Sequence, residues 1–261
     1  AVHISHILCV QACNEISGFV SKPERIEFEK TIWPFIIFAK KRYYGRYYTV
    51  LNSDKYVDKS MGIITKRRDQ AKITQEIYNG ILEILMAHEE NFCNNALDYF
   101  KKRCNEINKT SIHKFVLSKT LKSNYKNRNG IAHAVLADRQ AMRDPGNAFS
   151  INDRIPYCYF YNIRFNDKTL QGNRVETPEY IMKNNLTIDY SYYIKHQISE
   201  PVEQMFQLLE QNQPGILKEY KLFIECILNK CKVFSASAKN SRSIVHMFTK
   251  KMTSKEALEF L

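Results

Sequence analysis

With 261 residues, 44% of them hydrophobic, the chain is long enough to bury a core in one large domain or two modest ones. It carries 39 Lys and Arg against 27 Asp and Glu, and the net charge of +12 favours a polyanionic partner, either nucleic acid or an acidic membrane surface. No apolar run approaches the roughly 20 residues of a membrane span, and the start lacks a secretory pattern, so neither is predicted. The 7 cysteines are odd in number and scattered, which indicates reduced thiols in an intracellular protein.

The first part of the chain is predicted to contain one helix and a small group of strands. Residues 4–20 are predicted as the helix. The segment 25–50 is rich in β-branched and aromatic residues, a composition typical of two or three strands. Between residues 73 and 107, apolar residues spaced by three and four positions predict two further helices.

The remainder of the chain is predicted to be mainly helical. A basic block at 113–130 precedes a helix at 132–143, and one strand follows at 153–165. Residues 232–261 mix small polar residues with Lys and are predicted to form a flexible tail. Apolar spacing predicts three more helices, at 176–185, 189–210 and 215–230.

Four segments that follow one another in a fixed order resemble the family B DNA polymerases, especially the polymerase delta type and its relatives in large DNA viruses. Each segment alone is weak evidence, whereas the four in order are strong, and together they span about residues 25–210. The segments are EFEKTIWPFIIFAKKRYYG, MGIITKRRDQA, AHAVLADRQAMRDPGNAFSINDRIPY and PEYIMKNNLTIDYSYYIKHQISEPVEQMF.

The resemblance implies an α+β fold, in which a small antiparallel β remnant of the palm is followed by a mostly helical thumb. It places the end of the palm at residues 1–70, the thumb at 71–231 and a tail at 232–261. The catalytic carboxylates that bind Mg²⁺ in such polymerases are expected upstream of residue 1, because no Asp-x-Asp pair occurs in this chain. The chain alone is therefore expected to bind primer-template DNA without catalysing its extension, in the nucleus or at a cytoplasmic viral replication site.

The first candidate contact with DNA is Lys40-Lys41-Arg42-Tyr43. Alternation along a strand would place Lys41 and Tyr43 on one face, and Lys40 and Arg42 on the other. The resemblance implies that Lys41 and Tyr43 reach the minor groove at the primer terminus, where every base pair offers acceptors. The alternative interpretation is a solvated basic hairpin.

A second candidate lies where the palm would pass into the thumb. Lys66, Arg67 and Arg68 suit contacts to phosphate oxygens, and Asp69 is expected to orient one of the arginines. The alternative is a surface salt-bridge cluster.

The basic block supplies a third candidate, which is compatible with tracking the backbone of the product duplex, although a solvated surface is equally open. Its members are Lys119, Lys122, Tyr125, Lys126 and Arg128. Arg154 belongs to an Asp-Arg pair that is expected to be structural, with this arginine as the candidate exception that faces DNA. Tyr190, Tyr192 and Tyr193 are expected to pack in the base of the thumb.

Metal binding by this chain is not predicted. His3, His6, Cys9 and Cys13 recur at helical spacing, but structural zinc sites usually use closely paired cysteines from loops. Near the end, Cys226 and Cys231 lie within a predicted helix, so neither zinc nor an iron–sulfur cluster is expected there.

The predicted tail contains a degenerate match to a sliding-clamp box. Ile244, Met247 and Phe248 hold the three apolar anchor positions, whereas Ser241 stands where that box has Gln. An ordinary amphipathic turn is the alternative interpretation. The expected partners are therefore primer-template DNA, the remainder of the polymerase and a sliding clamp, with no membrane.

Two other classes of function stay open. A non-catalytic duplex-DNA-binding module, or a subunit of a split polymerase, would carry the same basic segments without a catalytic half in the same chain. A basic peripheral membrane protein is disfavoured, because the sequence has no Lys-rich amphipathic helix with an aromatic lipid-facing side.

Overall fold

The computed structural model describes residues 2–49, 55–165 and 168–231. The fold is α+β, as predicted from the resemblance, with two small antiparallel sheets among mostly helical residues. None of the helices in the described part of the chain is both long and apolar enough to cross a membrane.

The first sheet follows an N-terminal helix, α1, and contains three strands in the order β1-β2-β3. The helix and the first two strands were predicted, whereas β3 lies outside the segment 25–50 for which strands were predicted. The turn between β1 and β2 consists of Lys40 and Lys41, because Ala39 pairs with Arg42. The elements are α1 Val2–Ser17, β1 Thr31–Ala39, β2 Arg42–Tyr48 and β3 Val57–Met61.

Two amphipathic helices, α2 Lys72–Ala87 and α3 Phe92–Asn105, confirm the helices that were predicted between 73 and 107. Their buried residues follow the spacing of three and four positions that predicted them. The connection contains His88 and Asn91, whose φ angles of 50° and 62° lie in the left-handed region. This connection reverses the chain so that α3 packs against α2.

The second sheet is antiparallel and has the order β4-β5-β6, with α4 Ala132–Arg143 packed beside it. Only β5 was predicted, and it ends at Tyr159, where its pairing with β6 ends, rather than at residue 165. The strands are β4 Leu117–Thr120, β5 Arg154–Tyr159 and β6 Val175–Glu176.

The helix predicted at 176–185 begins later than expected, as α5 Pro178–Lys183. Glu176 lies in β6 opposite Cys158, so it is held in an extended conformation. The side chain of Thr177 then accepts the Tyr180 N–H, and Pro178 occupies the first helical turn. A cap residue followed by Pro is a common helix start, which explains the later boundary.

The remaining helices pack against the second sheet and against α3. Among the described residues, the segment predicted at 189–210 forms α6 Tyr190–Tyr192, a π-helical stretch Tyr193–Ile198 and α7 Ser199–Leu209. A final helix, α8, covers residues 216–231. The buried Tyr193 hydroxyl donates to the Phe115 carbonyl at 2.6 Å and accepts the Tyr159 N–H at 3.1 Å, which confirms a packing role.

One core cluster of buried residues runs from Ile63 to Cys231 and joins α2, α3, α4, α7 and α8 to the second sheet. The first sheet contacts this cluster through partly buried side chains, including Ile36, Phe38 and Tyr44. A hydrogen bond of 2.7 Å from Arg42 in β2 to Gln204 in α7 adds a polar connection. These contacts hold the hairpin β1-β2 beside the helical part of the chain.

Candidate nucleic-acid interface

A groove of about 600 Å³ opens where the chain passes from the first sheet into α2. Side chains from the connecting segment, the start of α2, the turn before β4 and both β4 and β5 line it. We call it the basic groove, because its lining includes Arg67, Arg68, Lys72, His113 and Arg154. Cationic side chains that are far apart in the sequence thus converge on one concave surface.

Arg67 is oriented by Asp69, as was predicted. Its Nε and Nη2 donate to the two carboxylate oxygens of Asp69 at 3.1 and 2.9 Å. These hydrogen bonds lower the pKa of Asp69 and raise that of Arg67. Gln75 in α2 also donates to the Arg67 carbonyl at 2.7 Å, so that backbone and guanidinium are both fixed.

The backbone of Lys66 lies in the short helical turn Ile64–Lys66 that precedes Arg67. Arg68 is exposed, and its carbonyl accepts a hydrogen bond of 3.4 Å from Arg154. Of the predicted segment 66–68, the structure therefore places both arginine side chains on the wall of the basic groove.

Arg154, at the start of β5, both connects two strands and lines the basic groove. Its guanidinium donates to the Oγ and the carbonyl oxygen of Ser118 at 2.8 and 3.0 Å, which connects β5 to β4. It also lines the basic groove. Asp153 makes a separate contact, since its carboxylate accepts the Ser150 N–H at 2.7 Å.

The basic block is built around β4 and the segment that follows it. We call residues 121–131 the basic loop. Lys119 is exposed on β4, next to the groove-lining Ser118, and its charge contributes to lowering the pKa of both Asp69 and His133. Lys122 in the loop is exposed. We call the basic groove, Lys119 and the basic loop together the basic surface.

Tyr125 faces inward rather than presenting a free ring. Its hydroxyl lies 3.0 Å from Nε2 of His133 and accepts the Lys122 N–H at 2.8 Å. The guanidinium of Arg128 lies 5.8 Å from the centre of the ring and donates two hydrogen bonds to Asp138, at 2.9 and 2.7 Å. These contacts hold the basic loop against α4.

The predicted alternation of Lys40-Lys41-Arg42-Tyr43 along one strand is wrong. Lys40 and Lys41 form the turn, and Lys41 has a φ of 60°, so only Arg42 and Tyr43 have the alternation of a strand. The reason is the antiparallel pairing of Ala39 with Arg42, which leaves two residues to reverse the chain.

Within the hairpin, the two lysines and Tyr43 remain accessible to different degrees. Lys40 and Lys41 are exposed at the tip, and Tyr43 is half-buried with its ring 5.5 Å from that of Phe35. The guanidinium of Arg42 is occupied by Gln204. The tip also touches Gly62, since a Cβ on that glycine would lie 2.3 Å from the Lys41 carbonyl oxygen.

Sequence reasoning missed Lys72 and His113 as members of the basic groove. Lys72 follows the TKRRDQA run directly, and His113 opens the basic block, so their positions beside predicted basic segments gave a signal for both. The sequence did not reveal the pairing of β4 with β5. This pairing places Ser118 beside Arg154, and both line the basic groove together with His113 and the segment that follows the first sheet.

No group of three or more His, Cys, Asp or Glu side chains that could hold a metal ion occurs within the described ranges. On α1, His6 is buried with its ring 4.0 Å from that of Phe28. The predicted clamp-binding residues Ile244, Met247 and Phe248 lie outside the described residues.

Comparisons with known proteins agree on one family. The family model described as DNA polymerase family B matches residues 4–209. A DNA polymerase of Acanthamoeba polyphaga mimivirus is 44% identical over 206 residues, covering 77% of this chain and 12% of that protein. One of Pyramimonas orientalis virus is 36% identical over 272 residues, covering 97% of this chain and 22% of that protein. The DNA polymerase delta catalytic subunit of Glycine max is 31% identical over 209 residues, covering 77% of this chain and 18% of that protein.

The chain thus spans between 12% and 22% of the length of these three relatives. Since the family model covers both sheets and the helices through α7, and viral and cellular polymerases align with the same region, the chain belongs to DNA polymerase family B.

Proposed function

We propose that this chain is the C-terminal palm end and thumb of a replicative DNA-directed DNA polymerase, and that it grips primer-template duplex during synthesis. The observation that carries the proposal is the convergence of Arg67, Arg68, Lys72 and Arg154 in the basic groove, to which the exposed Lys119 and the lysines of the basic loop add further charge. Several cations spread around one open groove match the phosphate backbone of a duplex better than they match a small anion.

The physical chemistry favours binding that is independent of sequence. Duplex DNA carries one negative charge per about 1.7 Å of helix axis, and a protein that neutralises phosphates releases condensed counterions. Guanidinium groups fixed by Asp69 and Ser118 are already oriented before a phosphate arrives. Such preorganisation reduces the entropy that binding would otherwise lose.

We also propose that the β1-β2 hairpin meets the primer terminus. Lys41 at the exposed tip and Tyr43 beside it supply the donors that could probe minor-groove acceptors, which all correctly paired bases present. Arg42 is assigned to holding the hairpin, because its guanidinium donates to Gln204.

The proposed division of the chain follows this assignment, with the palm end at residues 1–70, the thumb at 71–231 and a tail at 232–261. Family B polymerases use Mg²⁺ bound by carboxylates, and the described residues do not fit such a site, since they contain no suitable cluster. We therefore assign no chemical step to this chain and place the Mg²⁺ ligands upstream of residue 1. The site of action is intracellular, in the nucleus or a cytoplasmic viral replication site.

The partner that α1 requires is the upstream part of the polymerase. Ile4 and Leu8 are 65% and 58% exposed, and the only buried residue of this helix is His6. Exposed aliphatic side chains along one helix are typical of a protein interface. When the chain is co-expressed with the upstream segment, binding should bury these side chains. The double variant Ile4→Ser, Leu8→Ser should therefore co-purify less of the upstream segment than the parental chain does. Equal recovery with both versions would contradict this assignment.

A sliding clamp is the third proposed partner, bound through Ile244, Met247 and Phe248. A tail beyond the thumb would lie beside the duplex that a clamp encircles, and tethering raises the effective concentration of the polymerase. A fluorescent peptide of residues 239–252 should bind the clamp of the parent organism, whereas an Ile244→Ala, Phe248→Ala peptide should not. Equal binding by the two peptides, or none, would remove this partner.

The test of the main proposal uses the full chain and two fluorescent primer-template duplexes of unrelated sequence. Binding should be equal for the two sequences and should weaken steeply with salt, with the slope of log Kd against log salt set by the phosphates neutralised. Nucleotide incorporation should be absent. Measured incorporation, or binding that ignores salt, would overturn the proposal.

The alternative function is a non-catalytic duplex-binding module or a subunit of a split polymerase. The same basic groove supports it, and the gene upstream of residue 1 discriminates between the two. An upstream reading frame without the catalytic carboxylates would favour the alternative.

A further inference from the structure

The contact between Tyr125 and His133 is the feature of the basic surface that direct DNA binding leaves unexplained. Tyr125 belongs to the basic loop, whereas His133 is the second residue of α4. His133 is only 7% exposed, and its ring stacks on that of Tyr157 at 6.3 Å with an interplanar angle of 16°. The imidazole is therefore a fixed part of the core, to which the loop attaches.

The Tyr125 hydroxyl connects three parts of the chain. It lies 3.0 Å from Nε2 of His133, accepts the Lys122 N–H at 2.8 Å, and lies 3.4 Å from the Thr120 carbonyl oxygen. One oxygen atom thus links the end of β4 and the start of the basic loop to α4. Without it, the Lys122 N–H loses its acceptor, and the loop beyond the buried Leu121 loses this connection to α4.

The segment that this hydroxyl holds carries exposed lysines. Lys122 and Lys126 flank Tyr125 and are both exposed, while the Arg128 guanidinium is already occupied by Asp138. A mobile loop with the same charges would bind phosphate less well, because ordering the loop on binding costs conformational entropy.

We infer that Tyr125 and His133 are positioning residues, which fix Lys122 and Lys126 where the duplex backbone passes. This inference rests on the proposed function, since it concerns how the same surface binds DNA. It also changes the expected role of Tyr125, whose ring was a candidate contact with DNA. The hydroxyl acts from behind the surface, and no base stacks on the ring.

The experiment measures duplex affinity of the full chain over a series of salt concentrations. Tyr125→Phe keeps the ring and removes the hydroxyl. It should weaken binding roughly tenfold and lower the salt slope by about 1 to 2, since each lost phosphate contact contributes about 0.9. The matched control is Tyr159→Phe, which removes a hydrogen bond of 2.6 Å to Gln171 away from the loop and should leave the slope unchanged.

A background that lacks the two lysines separates positioning from general destabilisation. In the double variant Lys122→Ala, Lys126→Ala, adding Tyr125→Phe should change neither the duplex affinity nor the salt slope. An equal loss in both backgrounds would overturn the inference, because Tyr125 would then act elsewhere. A parental slope for Tyr125→Phe alone would also overturn it.

A second pair of variants tests the same contact from the side of His133, so that the test does not depend on the folding of Tyr125→Phe. The amide of His133→Gln can donate to the Tyr125 hydroxyl or accept from it, so this variant should keep most of the parental slope, whereas His133→Leu should lower it. Identical slopes for the two variants would refute the role of this contact. If the parental chain itself fails to bind duplex with a salt-dependent affinity, the proposed function fails first, which distinguishes the two failures.

Discussion

Gly62 is the position where a single methyl group should disturb the hairpin that we assign to the primer end. Its φ of +64° is a conformation that L side chains rarely adopt, and a Cβ there would lie 2.3 Å from the Lys41 carbonyl oxygen and 3.0 Å from Cγ of Arg42. Left-handed backbone costs a non-glycine residue about 1 to 2 kcal/mol. Relieving the backbone clash adds about 1 to 3 kcal/mol. Gly62→Ala should therefore lower the free energy of unfolding by about 2 to 5 kcal/mol.

The chain offers a matched control in Gly215, which has a φ of +94° but no atom within 4 Å of the position that a Cβ would take. Gly215→Ala should cost only the conformational part, about 1 to 2 kcal/mol. Urea unfolding followed by circular dichroism compares the two. Because relief of the clash moves the carbonyl of Lys41, primer extension by the intact polymerase should fall for Gly62→Ala alone. Equal destabilisation by both variants, with parental extension by Gly62→Ala, would refute the reasoning.

The hairpin, the buried Glu176 and the imidazole of His133 each give a further measurable expectation. In the intact polymerase, Lys41→Ala and Tyr43→Ala should slow primer extension with little change in the unfolding midpoint, and parental rates for both would contradict the minor-groove assignment. Glu176→Gln should lower the free energy of unfolding by about 2 to 4 kcal/mol, because two arginines lose the charge of a carboxylate that is 4% exposed, and an unchanged urea midpoint would count against this. Burial lowers the pKa of His133 and His196 below 6.5, so as the pH falls these imidazoles bind protons more readily in the unfolded chain than in the folded one. The free energy of unfolding should therefore decrease as the pH drops below about 6.5. His133→Gln should flatten that fall, and an unchanged pH profile would contradict it.

Helices were predictable from the sequence wherever one face had to be buried. In α2, the apolar residues recur every three or four positions, and the ones at Ile73, Ile77 and Ile81 are completely buried. This periodicity follows from helix geometry alone. The sequence therefore placed α2 and α3 without any knowledge of their neighbours.

Strands that exist only through pairing were not predictable in the same way. The segment LSKT of β4 has one buried residue, Leu117, and two exposed ones, so it carries no alternation of apolar and polar residues. It becomes a strand because Leu117 to Thr120 pair with Tyr157 to Arg154. The strand depends on a partner more than thirty residues away, and local composition does not encode that partner.

For the candidate site, too, the sequence identified individual residues but not their arrangement in space. The resemblance identified Arg67, Arg68 and Arg154 as candidates, but it did not bring them to one surface, and it left Lys72 and His113 out. The resemblance also identified the residues Lys40 to Tyr43 as candidates, but it did not show that the first two of them form a turn. Lys41 adopts a left-handed conformation that neither Gly nor Asn signals at this position, so the sequence predicts a strand where the structure has a turn.

Two arginines of the basic groove differ from Lys119 in the neighbouring strand β4 in how much freedom their side chains keep. Arg67 and Arg154 are held by Asp69 and Ser118, so their donors have fixed directions before a ligand arrives. The carboxylate of Asp69 offsets part of the charge of Arg67, and its contribution to non-specific attraction is correspondingly smaller. Lys119 is exposed and supplies long-range attraction. A surface with both kinds of cation can attract a duplex from any direction yet hold its backbone in one register, which is what the proposed grip on the product duplex requires.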